Sequence, residues 1–225
     1  CFGCGAGGDV ITFLRLIEHY DYLEAVKNLS ERVGMDLEIN EEDNAVHNKK
    51  LLIYQINREA AKFYHSCLLS AEGKEAVEYL KRRGIKASSA RHFGLGYSPK
   101  NGYALVDYLN KKGYNKKDII LSDLAFKSRN GREFDRFRNR LMFPIIDIRG
   151  NVIAFGARTM GNDIPKYINT SDTLVFKKSS NLFALNFAKK SGKNSLILAE
   201  GYMDIISLHQ AGFTNSVAGL GTALT

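Results

Sequence analysis

The part of the sequence best suited to chemistry is an apolar segment that ends in a carboxylate, Leu196-Ile197-Leu198-Ala199-Glu200-Gly201-Tyr202-Met203-Asp204. A strand that ends before Glu200, followed by a helix that opens near Asp204, places both acids at the carboxyl end of a parallel strand, where α/β proteins bind ligands. A carboxylate there can hold Mg²⁺ or act as a general acid or base. In the structural alternative, Asp204 caps the helix and Glu200 is only solvated.

A second candidate site is a run of arginines from 129 to 140. Five arginines occur in these twelve residues, interleaved with Phe134 and Phe137. Guanidinium groups bind phosphates through two parallel hydrogen bonds, and exposed aromatic rings stack on bases. The run therefore predicts contact with nucleic acid. In the alternative interpretation, the two rings belong to the core and the arginines pair with Glu133 and Asp135.

The cysteines suggest metal binding more than disulfides. Three cysteines in 225 residues are too few for a disulfide framework, and with no recognisable signal peptide they indicate a reducing cytoplasm. Cys1 and Cys4 form a Cys-x-x-Cys pair followed by glycines, which is half of a zinc site because two thiolates supply two corners of a tetrahedron. A redox pair or two incidental thiols are the alternatives. Cys67, alone on an apolar helix, is interpreted as a core residue.

Composition and charge narrow the class of protein. With 44% hydrophobic and 25% charged residues, the chain is not collagen-like, low-complexity or disordered. No apolar run reaches the length of about 18 residues that a membrane helix needs. Residues 1–48 contain three basic and ten acidic residues, so the net charge of +8 divides into −7 there and +15 in residues 49–225. The basic part suggests a polyanionic partner such as nucleic acid, unless it is only a solvated surface.

Helical periodicity dominates the first half of the chain. Asp9 is a good N-cap for a first helix, and glycines stand where several of the later helices should end. The acidic and weakly periodic stretch 39–48 is expected to be a linker between two modules. The other predicted helices cover 22–33, 49–70, 73–83, 103–112 and 116–121.

Strands are predicted mainly in the second half. Residues 141–148 and 152–156 indicate a β-hairpin, in which Pro144 should make its strand an edge strand or delay its start. A helix at 181–190 follows. The sequence then predicts a βαβ unit from a buried strand at 195–199, a helix at 203–211 and a strand at 216–218.

Seven phrases, in this order, resemble those of the bacterial DnaG-type DNA primases. They are CFGCGAGGD at 1–9, FGLGYSP at 93–99, DRFR at 135–138, MFPI at 142–145, FGAR at 155–158, PKYIN at 165–169 and EGYMD at 200–204. The resemblance implies a mixed α/β (α+β) fold in four parts. Residues 1–38 would be the C-terminal part of a CHC2 zinc-binding domain with helices, 39–48 a linker, 49–193 the N-terminal subdomain of the primase RNA polymerase core, and 194–225 the start of a truncated Toprim domain, a metal-binding α/β module.

The resemblance also implies roles for individual residues. Cys1 and Cys4 would be the last two of four ligands of a structural Zn²⁺. Glu200 and Asp204 would be catalytic, with Glu200 binding Mg²⁺ or Mn²⁺ alongside a later Asp-x-Asp pair that does not occur before Thr225. Contacts to nucleic acid or nucleoside triphosphates are expected from Arg136, Arg138, Arg140, Arg158, Lys166, Tyr167, Asn169 and Lys178.

The implied activity is template-directed synthesis of short RNA primers from nucleoside triphosphates on single-stranded DNA, by two-metal nucleotidyl transfer at the bacterial replication fork. The implied partners are the DNA template, the RNA primer, the single-stranded DNA-binding protein and the replicative helicase, the last through a C-terminal domain absent from this chain. We expect a cytoplasmic protein without a membrane partner, of which this chain is a fragment that is inactive alone.

Two alternatives stay open. The first is a non-catalytic module that binds single-stranded DNA or other replisome components. The second is another Toprim enzyme, such as a topoisomerase or a nuclease. The phrases at 1–9 and 136–144 argue against the second alternative because they lie outside the Toprim segment.

Overall fold

The computed structural model describes residues 3, 5, 7–18, 20–37, 40–128 and 131–221. The chain divides into two compact units, Cys1–Leu51 and Leu52–Thr225. The helices are α1 (Val10–Ile17), α2 (Tyr22–Val33), α3 (Glu41–Leu69), α4 (Lys74–Arg82), α5 (Ala87–His92), α6 (Ala104–Lys111), α7 (Lys116–Leu121), α8 (Leu185–Ala188) and α9 (Tyr202–Gln210). The strands are β1 (Gly96–Ser98), β2 (Ala125–Lys127), β3 (Glu133–Asp135), β4 (Arg140–Ile146), β5 (Val152–Thr159), β6 (Tyr167–Asn169), β7 (Ile197–Ala199) and β8 (Ser216–Ala218). The predicted mixed α/β class is confirmed.

In the first unit, local capping explains where the helices start and end. The Asp9 carboxylate accepts a hydrogen bond from Thr12 N at the start of α1, as predicted. Asp21 and Glu24 exchange hydrogen bonds with each other's backbone N–H and so fix the start of α2. Helix α2 ends at Gly34, which has a left-handed φ of 66°.

Helix α3 begins earlier than expected and covers most of the stretch 39–48, which was expected to be a linker. Asn40 Oδ1 accepts a hydrogen bond from Asp43 N at 2.7 Å, which is the contact that an N-cap makes. The acidic residues Glu41, Glu42 and Asp43 occupy the first turn, where the helix dipole favours negative charge. The acids that suggested a linker are therefore residues that start a helix.

The central element of the second unit is a four-stranded antiparallel sheet in the order β1-β4-β5-β6. The predicted hairpin is confirmed as β4 and β5, with Met142 opposite Ala157. Side chains of β4 alternate between the two faces. Phe143 packs in a buried cluster with Met203 of α9, whereas Met142 packs with Tyr64 of α3 in a second cluster on the other face.

Pro144 lies within β4, an inner strand, and not on an edge as expected. β1 pairs with β4 only as far as Met142, so none of the described strands lies beside Pro144 on that side. On the other side Pro144 faces Phe155, whose N–H and C=O both bond to Thr170 instead. The missing N–H of Pro144 therefore leaves no bond unmade in the described sheet.

The βαβ unit is confirmed: β7 runs parallel to β8, and α9 connects them. The outer edge of β8 is partly occupied, because Phe183 N donates to Ala218 O at 2.9 Å and Ala218 N donates back to Phe183 O at 3.2 Å. The prediction that β7 is buried was wrong. Leu196 and Leu198 are 52% and 58% exposed, since no described residue covers the face of the two-stranded sheet on which they lie.

The helix predicted over 181–190 is shorter in the structure. α8 has only four residues because Phe183 is engaged in the bridge to β8 and Ala184 has a left-handed φ of 67°, which a helix cannot contain. Among the described residues, no helix combines the length and the apolar character needed to cross a membrane.

Candidate active site and nucleic-acid groove

The two acids predicted to be catalytic lie at the carboxyl end of β7. Glu200 follows the last residue of the strand, and Gly201 is the N-cap of α9 with no side-chain capping bond. The capping role considered for Asp204 is therefore wrong, because Asp204 lies within the first helical turn. Both carboxylates are exposed and line one cavity of about 370 Å³, which we call the carboxylate cleft.

Arg83 lines the same cleft and was not among the predicted site residues. It is the C-cap of α4 and precedes Gly84, which has a left-handed φ of 72°. The available signal was the basic pair Arg82-Arg83 at a predicted helix end, but the sequence does not indicate which surface such a pair faces. Two carboxylates and a guanidinium in one cleft suit a metal cation together with phosphate groups.

Asn169 also lines the cleft, but its amide is used to position its neighbours. Its Oδ1 accepts a hydrogen bond from Tyr202 Oη at 2.8 Å, and its Nδ2 donates to Leu220 O at 2.8 Å. The Tyr202 ring stacks on Phe143 with centroids 4.8 Å apart, and burial raises the pKa of its hydroxyl. The start of α9 is thus fixed to the antiparallel sheet from two sides.

Arg158 and Tyr167 form a second polar group beside the cleft. The Arg158 guanidinium lies over the Tyr79 ring, 4.1 Å from its centroid, and its Nη1 donates to Thr159 O. Burial raises the pKa of Tyr167, whereas the nearby charge of Arg158 and a hydrogen bond from it act in the opposite direction. Tyr167 lines the carboxylate cleft, whereas Arg158 lies opposite Tyr167 on the neighbouring strand β5 and is not among the described residues that line the cleft.

Three of the predicted phosphate-binding arginines meet in a second cavity of about 610 Å³. Its walls include Lys100 and the loop that carries Asp163 and Pro165. We call this cavity the arginine groove. Arg136, Arg138 and Arg140 line it, which agrees with the predicted clustering of these residues.

The three arginines differ in how free they are. Arg140 is buried, and its guanidinium donates to the backbone carbonyls of Pro165 and Lys166 at 3.3 to 3.4 Å. Arg136 Nη2 donates to Asn169 O and Ser171 Oγ, and its Nε is 3.1 Å from Asp123 Oδ2. Arg138 is exposed, and the structure gives it no ion pair among the described residues. Arg138 is therefore the arginine best placed to meet a ligand.

The two predicted lysines lie at the margins of these sites. Lys166 is exposed and follows Pro165 at the rim of the arginine groove. Lys178 is half-buried, and its backbone N–H donates to Asp172 Oδ1 at 3.0 Å. Lys178 lines neither cavity, so the structure does not bring it together with the other candidates.

The alternative interpretation of the arginine run is correct only for one ring. Phe137 is fully buried, whereas Phe134 is half-buried and packs on Tyr103 at 4.9 Å. Glu133 pairs with Lys116 and not with an arginine. Asp135 is buried on β3, accepts hydrogen bonds from the N–H groups of Leu105 and Val106, and has a pKa raised to about 6 by burial. Arg129, the first arginine of the run, lies outside the described residues.

Cys1 and Cys4, the predicted zinc ligands, lie outside the described residues. Within the described part of the chain, no three or more His, Cys, Asp or Glu side chains are grouped as a metal site would require. Glu200 and Asp204 are hard oxygen donors of the kind that Mg²⁺ binds. Cys67 packs against the core, and burial raises the pKa of its thiol to about 11, so it is an unreactive thiol at neutral pH.

Three protein families match consecutive parts of the chain. Residues 1–45 match the CHC2 zinc finger, residues 63–189 the N-terminal domain of the DNA primase catalytic core, and residues 194–225 the Toprim domain. The second of these matches covers the four-stranded sheet and the arginine groove. The third covers the carboxylates of the cleft.

The curated and solved relatives are also primases. The DNA primase of Clostridium acetobutylicum is 42% identical over 100% of this chain, which spans 38% of that protein's length. The RNA polymerase domain of Mycobacterium tuberculosis primase DnaG, solved with a double-stranded DNA that has a 6-nucleotide overhang, is 37% identical with a TM-score of 0.74, over 77% of this chain and 56% of that one. A DnaG primase catalytic domain bound to single-stranded DNA is 35% identical with a TM-score of 0.74, over 80% and 58% of the respective chains. The chain therefore belongs to the family of bacterial DnaG-type DNA primases.

Proposed function

We propose that the protein containing this chain is a DNA primase, which synthesises short RNA primers from nucleoside triphosphates on single-stranded DNA at the replication fork of a bacterial cell. The observation that carries the proposal is the carboxylate cleft. There, Glu200 and Asp204 share one cavity with Arg83, so negative groups for a metal and a positive group for phosphate face the same space. The relatives are primases, and one of them is solved bound to single-stranded DNA.

In this proposal Glu200 and Asp204 are the catalytic carboxylates. They hold divalent cations, Mg²⁺ or Mn²⁺, which supply charge neutralisation of the triphosphate and activation of the attacking 3′-hydroxyl in two-metal nucleotidyl transfer. Gly201, between β7 and α9, has an extended backbone, and Glu200 and Asp204 on either side of it are exposed to solvent. The further oxygen ligands that such a site needs come from residues outside the described ones.

The cations around the cleft bind the triphosphate of the incoming nucleotide. Arg83 lines the cleft directly, and Lys166 lies exposed next to Tyr167, a wall residue of the cleft. Arg158 lies opposite Tyr167 on the neighbouring strand β5 and is a further ligand of the triphosphate in this proposal. A guanidinium is well suited to phosphate because its fork matches two oxygens at once.

The arginine groove binds the template strand. Arg138 and Lys100 line it with exposed side chains that contact phosphates, while Arg136 and Arg140 shape it through hydrogen bonds to backbone carbonyls. The exposed Phe126 ring packs on Phe134 and lies 5.9 Å from the Arg138 guanidinium, so it gives bases a surface for stacking. Lys178, which lines neither cavity, contacts nucleic acid only as a peripheral phosphate ligand.

The proposal extends to the division of the chain and to its partners. Residues 1–38 belong to a zinc-binding domain in which Cys1 and Cys4 bind a structural Zn²⁺, 39–48 connect it to the polymerase core at 49–193, and 194–225 begin the Toprim domain. The match to a CHC2 zinc finger over 1–45 supports the zinc. The helicase and the single-stranded DNA-binding protein are partners of the whole protein.

The proposal is tested with the full-length protein carrying Glu200→Ala, in a primer-synthesis assay with single-stranded DNA, nucleoside triphosphates and Mg²⁺. We expect primer synthesis to fall by about two orders of magnitude, because the variant loses a metal ligand, while affinity for the template changes little. Glu78→Ala, which alters an exposed glutamate of α4, is the matched control. Primer synthesis at the wild-type rate by the Glu200 variant would refute the catalytic assignment, and a wild-type protein that binds the template but makes no primer would support a non-catalytic module.

A further inference from the structure

Gln210, the last residue of α9, makes three hydrogen bonds to a part of the chain that lies far from it in sequence, namely the turn between α4 and α5 and the first turn of α5. Its Nε2 donates to Gly84 O at 2.9 Å. Its Oε1 accepts hydrogen bonds from Lys86 N at 2.8 Å and from Ser89 Oγ at 2.9 Å. One amide side chain thus fixes both the end of α4 and the start of α5.

The turn held by Gln210 carries Arg83. Gly84 is bonded to Arg83 through a peptide, and the Gly84 carbonyl that accepts from Gln210 belongs to the next peptide unit. The local structure of the turn is set by Gly84, whose left-handed φ of 72° allows Ile85 N to donate to Leu80 O. These local bonds fix the shape of the turn but not its orientation relative to α9.

Apolar packing brings the turn and α9 together without orienting them. Ile85 is buried in the same cluster as Met203 and Ile206 of α9. Such contacts are non-directional, whereas hydrogen bonds require aligned donors and acceptors. The bonds of Gln210 are therefore the directional contacts of α9 with this turn.

Helix α9 carries a reactive group at its other end. Asp204 lies in its first turn and Glu200 directly precedes it, while Gln210 ends it after nine helical residues. A helix of this length is a rigid rod of about 13 Å. The carboxylates lie at one end of α9, and Gln210 at the other end holds the turn that carries Arg83. The same helix therefore positions both the carboxylates and the Arg83 guanidinium.

We propose that Gln210 is a positioning residue, which holds the turn at Gly84 so that Arg83 points into the carboxylate cleft and binds the triphosphate of the incoming nucleotide. This inference rests on the proposed function of the cleft. Gln210 does not line the cleft and touches no reacting group. Its effect on nucleotide binding passes through Arg83.

The test uses the full-length protein and a fluorescent ribonucleoside triphosphate. Gln210→Met keeps the length of the side chain and removes its hydrogen bonds. We expect the Kd for the nucleotide and the KM for nucleoside triphosphates to rise about threefold to tenfold, as the loss of up to three partly solvated hydrogen bonds allows, with kcat and template affinity within about twofold of the wild type. Gln55→Met, in which an exposed glutamine of α3 is changed in the same way, should have no effect.

A double-mutant cycle separates positioning from general stability. In an Arg83→Ala background, Gln210→Met should raise the nucleotide Kd no further, because the group that it positions is gone. The inference is overturned if Gln210→Met raises the nucleotide Kd equally with Arg83 present and with Arg83 replaced by alanine. It is also overturned if Gln210→Met leaves the Kd unchanged when Arg83 is present. Gln210→Glu keeps the acceptor for Lys86 N and is expected to fall between the wild type and Gln210→Met, so a folding defect of one variant does not decide the result.

Failure of the proposed primase function can be distinguished from failure of the inference about Gln210. A wild-type protein that binds the fluorescent nucleotide but makes no primers counts against the primase activity and leaves the inference about Gln210 testable. In that case hydrogen exchange of the Lys86 amide provides the readout. Gln210→Met should accelerate this exchange because the amide loses its acceptor, and an unchanged rate would show that Gln210 does not hold the turn.

Discussion

Tyr202 and Asn169 are joined by a hydrogen bond of 2.8 Å between the tyrosine hydroxyl and Asn169 Oδ1. Tyr202 is the first residue of α9 and Asn169 the last residue of β6, so this bond connects the helix that carries Asp204 to the antiparallel sheet. Asn169 continues the connection to Leu220 O, on the loop after β8. Two walls of the carboxylate cleft are thereby held by one asparagine.

Replacing Tyr202 or Asn169 should lower the free energy of unfolding by different amounts. Tyr202→Phe removes one hydrogen bond, and we expect it to lower the free energy of unfolding by about 1 kcal/mol. Asn169→Leu leaves the buried Tyr202 hydroxyl and the Leu220 carbonyl without their partner, and we expect a loss of about 2 to 3 kcal/mol. Chemical denaturation of both variants and of the double variant measures the difference. Additive losses in the double variant would contradict a shared network.

Gly156 of β5 is required because the Tyr202 ring packs directly on its backbone. A Cβ at this position would overlap the Cζ and Oη atoms of the ring. Gly156→Ala should therefore displace Tyr202 and lower the free energy of unfolding by about 2 kcal/mol, as overpacking of a core does. Gly161→Ala is the control, since its Cβ would meet nothing closer than 3.5 Å. A melting temperature of Gly156→Ala equal to that of the control would show that the ring moves without cost.

The arginine groove should contribute to the salt dependence of DNA binding. We expect Arg138→Ala to weaken binding of a single-stranded oligonucleotide and to reduce the slope of log K against log salt concentration by about one, because one phosphate contact is lost. Arg58→Ala, at an exposed position of α3 outside both cavities, should leave the slope unchanged. Fluorescence anisotropy over a salt series gives both values. Equal slopes for the two variants would place the template elsewhere.

Asp135 should make stability depend on pH in an unusual direction. Burial raises the pKa of its carboxyl from 3.8 to about 6, so the folded protein binds the proton more tightly than the unfolded chain. This contribution is fully present below about pH 4 and is lost as the pH rises through 6, a change of about 3 kcal/mol for two pKa units. The difference in unfolding free energy between wild type and Asp135→Asn, measured from pH 4 to 8, should follow this course.

A flat difference over that range would mean that the hydrogen bonds from Leu105 N and Val106 N outweigh burial. These two bonds stabilise the charged carboxylate, and so does the start of α6 that they cap. The experiment therefore decides between two opposing effects on the same side chain.

Local sequence signals predicted the elements that are stabilised locally. Asp9 and Gly34 are found as caps, and the hairpin and the βαβ unit form at the predicted positions, because capping and periodicity depend on neighbouring residues. The start of α3 at Glu41, ahead of the predicted residue 49, was missed for a related reason. Its acids lack an apolar stripe, but Glu41 and its neighbours suit the first turn of a helix.

Features that depend on tertiary contact could not be predicted in this way. The position of Glu200 at the end of a strand follows from the order of the elements, but the presence of Arg83 in the same cleft depends on the tertiary packing of the cluster that α4 and α9 share. The run of arginines likewise contains residues with different contacts. Arg140 bonds to the backbone carbonyls of Pro165 and Lys166, whereas Arg138 stays exposed, and this difference depends on a loop that is distant in sequence.

The bridge between Phe183 and Ala218 determines the edge at which a further strand can join the sheet of β7 and β8. Because Phe183 already exchanges two backbone hydrogen bonds with Ala218, a further strand in the described arrangement can pair fully only along β7. A parallel strand added there would end beside Glu200 and would deliver its own carboxyl-terminal side chains to the cleft. The partly occupied edge of β8 thus determines the side of the sheet from which a further strand would approach Glu200.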